Sequence, residues 1–142
     1  VDRSISSGAE FVHSNVVGTF NLIESARSDL SKKIVLVSTD EVYGSIDVGS
    51  WTEEMPLHPN SPYSASKACA ELLSRAANKT HALDVVITRS SNNYGPYQFP
   101  EKLVPLMIRN GLHGAPLPVY GDGQQIRNVD IFDEILGLFP EV

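Results

Sequence analysis

The chain has 142 residues, 42% of them hydrophobic and 20% charged, and a formal net charge of −6. That size and balance suit one ordinary globular core. No apolar run approaches the ~20 residues that span a bilayer, no charged-then-apolar leader opens the chain, and no basic cluster offsets the acidity, so a membrane protein and a general nucleic-acid binder are both disfavoured.

Residues 1–8 are small and polar. From 9 to 29 the apolar positions Phe11, Val12, Val16, Phe20, Leu22, Ile23 and Ala26 recur at spacings of three and four, which predicts an amphipathic helix. Gly18 inside it costs up to about 1 kcal/mol against Ala, and close packing would account for it. Ile34-Val35-Leu36-Val37, bounded by polar and glycine signals, predicts a buried strand. It runs into Ser38-Thr39-Asp40-Glu41-Val42-Tyr43-Gly44, which sets a hydroxyl and two carboxylates where ligands bind in an open α/β sheet. Two consecutive acids are usually a solvated turn. At the end of a buried strand, their surroundings can instead keep one protonated and the other ionised. Residues 45–60, with Trp51, Glu53, Glu54, Pro56 and Pro59, form a loop, read as a surface connection in preference to a shield over a site.

Asn60-Ser61-Pro62 signals a helix start, with Asn60 or Ser61 as N-cap. The helix over 61–81 has Ala65, Ala68, Cys69, Leu72, Leu73 and Ala76 as its expected buried stripe. Cys69 is the single cysteine; it permits no internal disulfide, reads as a packing residue, and with no export signal points to a reducing cytoplasm. Tyr63 and Lys67 are four apart and share a helix face, with Cβ atoms roughly 6 Å apart. An ammonium beside a phenol favours phenolate, and such a phenol can take a proton from an alcohol while hydride leaves the same carbon. Tyr-x-x-x-Lys alone is weak; following a Ser-Thr strand end at a distance that suits one strand–helix–strand unit, it points to catalysis.

Asp84 to Arg89 returns as a strand, so parallel pairing with a right-handed crossover is expected. Asn92-Asn93-Tyr94-Gly95-Pro96 is a turn by composition, with amides suited to carboxamide or sugar hydroxyls. A helix is expected from Pro100 and Glu101, with Leu103, Leu106, Met107 and Leu112 apolar and Gly111 as its stop. Leu117 to Tyr120 is an expected strand, Gly121-Asp122-Gly123 a tight turn, and Ile131, Ile135, Leu136 and Leu138 a face of a short tail helix. His13, His58, His81 and His113 show no metal-ligand spacing, so no metal is expected.

The stretches Val1-Asp2-Arg3-Ser4-Ile5, Asn15-Val16-Val17-Gly18-Thr19, Ser38 to Gly44, Tyr63 to Lys67, Arg89 to Pro96, Gln98 to Leu103 and Gly121 to Arg127 together resemble, in order, the extended short-chain dehydrogenase/reductases. Within them the chain is similar to nucleotide-sugar 4,6-dehydratases of the dTDP-glucose type. The resemblance implies an α/β fold: part of a Rossmann-like doubly wound parallel sheet, with the start of a small substrate-binding domain. Residues 1–90 would be the C-terminal part of an NAD-binding domain. Residues 91–142 would be a partial substrate-binding region with an atypical tail from about 129. The glycine-rich turn that holds the cofactor pyrophosphate in this family has no counterpart in these residues.

The same resemblance implies Thr39, Asp40, Glu41, Tyr63 and Lys67 as catalytic residues, NAD against Ser14, Tyr63, Lys67 and Asn93, and the nucleotide sugar against Thr39, Asn92, Glu101, Lys102 and Arg127. From the residues alone, Ser14 is equally an exposed helix serine. The implied reaction converts dTDP-glucose to its 4-keto-6-deoxy product with loss of water, in a homodimer built through the helices at 9–29 and 61–81. Two alternatives stand beside it. A 4-epimerase of the same superfamily needs Tyr63, Lys67 and Thr39 but no acid pair for elimination, so Asp40-Glu41 favours the dehydratase. An inactive fragment or interaction domain draws support from the lack of a glycine-rich turn and from the tail.

Overall fold

The computed structural model describes residues 2–46, 48–119, 121–123 and 129–131. The chain divides into two compact units, residues 1–90 and 91–142. Among the described residues no helix is long and apolar enough to cross a membrane.

The first unit opens with helix α1 (Asp2–Ser6) and then a continuous helical run: α2 (Gly8–Phe11), a π-helical turn (Val12–Val17) and α3 (Gly18–Ala26). Backbone angles stay helical through both junctions, so this is one helix with one wide turn. The expected helix over 9–29 is present, and the π turn is what its apolar spacing could not reveal. Gly18 closes that turn, its N–H reaching back to the His13 carbonyl. A Cβ on Gly18 would lie at an ordinary 3.8 Å from that oxygen, so packing among the described residues does not account for the glycine. Crowding falls on Gly8 instead, where a Cβ would meet Pro62 at 3.2 Å.

Strand β1 (Lys33–Thr39) and β2 (Asp84–Ser90) pair in parallel, from Lys33 opposite Asp84 to Thr39 opposite Ser90. Both strands extend past the apolar runs that marked them, because the ladder carries on through Ser38-Thr39 and Arg89-Ser90. Helix α4 (Pro62–His81) connects them. Ser61 is its N-cap, in a capping box with Ser64, and Pro62 enters the first turn, where a missing N–H costs nothing. At the far end Ala82 takes the left-handed conformation (φ 55°), and Asn78 Nδ2 donates to the Leu83 carbonyl at 2.7 Å. The core lies in two patches. Ile23, Ala77 and Leu83 pack with Ala26, Ile34, Leu73 and Val85. Val42, Tyr43 and Ala68 pack with Trp51 and Leu57.

The buried face of α4 differs from the expected stripe. Ser64, Ser66, Ala68, Ala70, Glu71, Ser74 and Ala77 are buried, whereas Cys69, Leu72 and Ala76 are exposed. Small residues let the helix lie close on its neighbours, and hydrogen bonds meet Ser64, Ser66 and Glu71, while the buried Ser74 hydroxyl has no partner among the described residues. The loop at 45–60 is also more than a surface connection, since Trp51 and Leu57 pack onto the second core patch. It is tied down by His58 N–H on the Val42 carbonyl at 3.0 Å and by Asn60 Nδ2 on Ser45 Oγ at 2.8 Å.

In the second unit β3 (Asn92–Tyr94) and β4 (Val129–Ile131) pair in parallel. Helix α5 (Leu103–Leu112) begins two residues later than its Pro100-Glu101 signal and runs through Gly111, the expected stop. Leu117 to Val119 form no strand. The start of the tail, 129–131, is strand where a helix face was expected; Ile135, Leu136 and Leu138 lie outside the described residues, as does Tyr120.

Gly44 gives this fold a direct test. It sits at φ 82°, ψ −143°, and a Cβ there would run into the His58 carbonyl oxygen. Gly44→Ala is expected to cost at least about 2 kcal/mol, read as a lowered midpoint in denaturant or thermal unfolding.

Candidate active site

The C-terminal end of β1 turns directly into a single 3-10 turn, Asp40–Tyr43. Thr39 caps it: Glu41 N–H donates to Thr39 Oγ1 at 3.3 Å, and the Thr39 hydroxyl donates to Asp40 Oδ1 at 3.2 Å. Thr39 is buried, and Asp40 and Glu41 are half-buried. The two acids occupy the start of the turn.

Tyr63 is in the first turn of α4 and is held from several sides. Its backbone N–H donates to Ser4 Oγ of α1 at 3.2 Å. Its carbonyl accepts from Ser66 Oγ at 2.7 Å, and Ser66 Oγ accepts from Asn15 Nδ2 of the π turn at 2.9 Å. Phe11 meets its ring edge-on, with centroids 5.8 Å apart at 83°. Burial first, then the Glu41 and Asp40 carboxylates, push the Tyr63 phenol above its ordinary value. Both acids therefore act on the phenol across the gap between the turn and the helix.

Lys67 Nζ donates to the Val37 carbonyl of β1 at 2.6 Å. Burial pushes this ammonium below its ordinary value, opposed by the Glu71 carboxylate. The expectation that Lys67 brings Tyr63 toward neutral pH therefore does not describe this arrangement. The lysine is engaged with a backbone carbonyl, and the phenol responds to its burial and to two anions. An ammonium carries three donors, and the Val37 carbonyl takes one.

Ser14 is exposed on the π turn. In the second unit Asn92 is exposed and Asn93 half-buried on β3, and Gln98 Nε2 donates to the Asn93 carbonyl at 2.6 Å. Residues 93–98 line a cavity of about 200 Å³. Glu101 and Lys102 are exposed, Lys102 at the N-cap position of α5. Arg127 lies outside the described residues. No metal-binding group of three or more His, Cys, Asp or Glu occurs among the described residues.

Several residues around the site escaped the sequence reading: Ser4, Asn15 and Ser66, which hold Tyr63, and Glu71 and Arg89. Glu71 had a visible signal, since Tyr63, Lys67 and Glu71 follow one another at steps of four on a single face. Ser4 and Asn15 had none beyond membership of the motifs, because their roles depend on contacts with a distant helix.

Comparison with known proteins gives consistent results. Residues 1–136 match the family described as GDP-mannose 4,6 dehydratase. The dTDP-glucose 4,6-dehydratase of Actinoplanes sp. is 54% identical over 139 residues, covering 97% of this chain and 43% of that protein. The Haemophilus influenzae dTDP-glucose 4,6-dehydratase is 53% identical, covering 90% of the chain and 41% of that protein. The crystal structure of the Streptomyces venezuelae dTDP-glucose 4,6-dehydratase with NAD bound superposes with a TM-score of 0.91 at 55% identity, over 95% of this chain and 42% of its own. A Bacillus cereus UDP-glucuronic acid 4-epimerase is more distant, with a TM-score of 0.81 at 29% identity over 92% of this chain and 43% of its own. The chain thus spans about two fifths of the length of the curated relatives it matches.

The electrostatics of Tyr63 set a sign that can be measured. Replacing an anion near a phenol by a neutral group favours phenolate, so Glu41→Gln is expected to lower the Tyr63 titration toward its ordinary value. Asp40→Asn should shift it in the same direction by less. Difference absorbance titration against Tyr63→Phe isolates the residue; an unchanged or raised value would contradict the arrangement.

Proposed function

The chain belongs to the GDP-mannose 4,6 dehydratase family, and on that premise we propose that it carries the acid–base centre of an NAD-dependent dTDP-glucose 4,6-dehydratase. The observation that carries this reading is that the turn bearing Asp40 and Glu41 packs on the Tyr63–Lys67 helix, Val42 and Tyr43 clustering with Ala68, and that both acids, after burial, raise the Tyr63 phenol. An epimerase needs Tyr63, Lys67 and Thr39 but no acid pair; an elimination needs an acid and a base as well.

The residues fit the ribose and nicotinamide end of NAD. Tyr63, the remaining donors of Lys67 and, by resemblance, Ser14 and Asn93 would hold it, while the pyrophosphate calls for a glycine-rich turn that these residues do not contain. When bound, NAD supplies the acceptor for hydride from C4 of the sugar and gives it back at C6. Tyr63 has to lose its proton against the burial and the two acids that raise it, a loss that the positive charge of a bound oxidised nicotinamide would favour; as phenolate it takes the proton of the 4-hydroxyl, with Thr39 hydrogen-bonding near that oxygen. The resulting ketone acidifies the C5 proton, and Glu41 takes it. The C6–oxygen bond breaks, Asp40, entering this step protonated while Glu41 enters ionised, gives its proton to the departing hydroxyl, and water leaves. Glu41 returns its proton to C5. The proton gained by Tyr63 balances the one lost by Asp40, so the centre ends as it began after proton exchange with solvent. Asn92, Glu101, Lys102 and Arg127 are proposed to bind the nucleotide sugar.

We also propose a homodimer with a cytoplasmic setting. The dimer is supported by the exposed apolar side chains Phe20 and Leu22 of α3 and Leu72 of α4, and sedimentation velocity checks it.

Mass spectrometry of dTDP-glucose incubated with the chain and NAD tests the activity. The expected product is lighter by one water, and Glu41→Gln is expected to lower its rate by about 10²-fold or more. An epimerase would change the sugar's proton NMR spectrum at constant mass. Unchanged mass and spectrum would remove the activity from these residues.

A further inference from the structure

Glu71 has no exposed surface, in a helix whose other buried residues are serines and alanines. Burying a carboxylate is strongly unfavourable unless it is paired and hydrogen-bonded. Here every pairing leads toward the acid–base centre. Glu71 Oε1 accepts a short hydrogen bond from the Ser38 hydroxyl. Arg89 Nε donates to Oε1 and Oε2 at 3.1 and 3.0 Å, and Nη2 donates to Oε2 at 2.6 Å. The other end of the guanidinium, Nη1, donates to the Tyr43 hydroxyl and to the Glu53 carbonyl at 3.3 Å. The guanidinium also lies over the Tyr43 ring, 4.8 Å from its centroid, and Tyr43 stacks on Trp51 at 6.2 Å.

The positions of these partners matter. Ser38 immediately precedes Thr39, and Tyr43 is the last residue of the turn that carries Asp40 and Glu41. That turn is four residues long, and it is gripped just before its start and at its end. Both grips run to a carboxylate one helical turn beyond Lys67. We propose that Glu71 and Arg89 are positioning residues that fix the Asp40–Glu41 turn against the Tyr63–Lys67 helix.

The inference rests on the acid–base reading above. A need for packing alone would be met by apolar residues, since hydrophobic replacement of a buried ion pair is often neutral or stabilising. An apolar pair would offer no acceptor to Ser38 and no donor fork to Tyr43 and the Glu53 carbonyl.

Trp51 is the single tryptophan of the 142 residues, so it reports the state of the turn without any turnover. Four forms are compared: the unaltered chain, Glu71→Gln, Arg89→Lys, and the double variant Glu71→Leu/Arg89→Met. Each is measured for thermal midpoint by circular dichroism, for acrylamide quenching of Trp51, and for kcat and KM on dTDP-glucose with NAD. The single variants are expected to raise quenching and to lower kcat by about 10²-fold, the cost of a reacting group displaced by an ångström, with KM held. The double variant is expected to regain the thermal midpoint while quenching stays high and kcat stays low. If it regains shielding and kcat along with stability, the pair serves packing alone and the proposal is overturned; unchanged shielding in Glu71→Gln overturns it too. A chain that dehydrates nothing fails the functional reading, and the Trp51 comparison still decides the positioning role.

Discussion

The buried ion pair between Glu71 and Arg89 is the constraint on which the first unit depends. Removing one partner of such a pair typically costs about 3–5 kcal/mol, because the other charge is stranded. The chain must therefore keep β1, β2, α4 and the loop after Tyr43 in one arrangement or lose a large part of a domain's net stability. This also explains the composition of the α4 face. Serines and alanines let the helix sit close enough for a glutamate side chain to reach both Ser38 and Arg89, which the bulk of a leucine face would prevent.

Around that fixed frame the chemistry is set by burial and by charge sign. Tyr63 sits where desolvation and two carboxylates favour its neutral form, and Lys67 sits where desolvation opposes its charge. The two groups thus hold their charges less readily than they would in water. The backbone of Tyr63 is meanwhile tied by Ser4 and Ser66, so the tuning acts on a side chain whose base is fixed.

Legibility in the sequence followed the physics of each element. Ile34 to Val37 and Val85 to Ile87 were visible as strands because they are runs of apolar β-formers, but the expected burial is not met: Val37 and Val86 are exposed and the others half-buried. Ser38, Thr39 and Ser90 at their ends were not visible as strand, since they belong to the ladder through backbone hydrogen bonds that leave no hydrophobic mark. The start of α4 was legible from Ser61 and Pro62, whose effects are local. Its buried side was misjudged because an apolar pattern cannot register a face of serines, alanines and one paired glutamate; Leu72, the obvious core candidate, is 56% exposed. The spacing of Tyr63 and Lys67 was plain. That Lys67 would turn to a strand carbonyl, and that burial and then Glu41 and Asp40 would raise the phenol, depended on packing between segments more than twenty residues apart. In the second unit, three-residue strands are too short for any periodicity to announce.

The π turn at Val12–Val17 has a consequence for how this chain tolerates length change. A π turn holds an extra residue within one turn of helix. Each residue of an α-helix turns the chain by about 100°, so deleting one residue there would give a smoother helix and swing everything before it to a different side. Phe11 would leave the Tyr63 ring, and Ser4 would be carried away from the Tyr63 N–H. A shortening that improves local helical geometry would thus unseat the tyrosine. The segment is a place where an insertion, once made, has become part of the register of the site and is no longer freely removable.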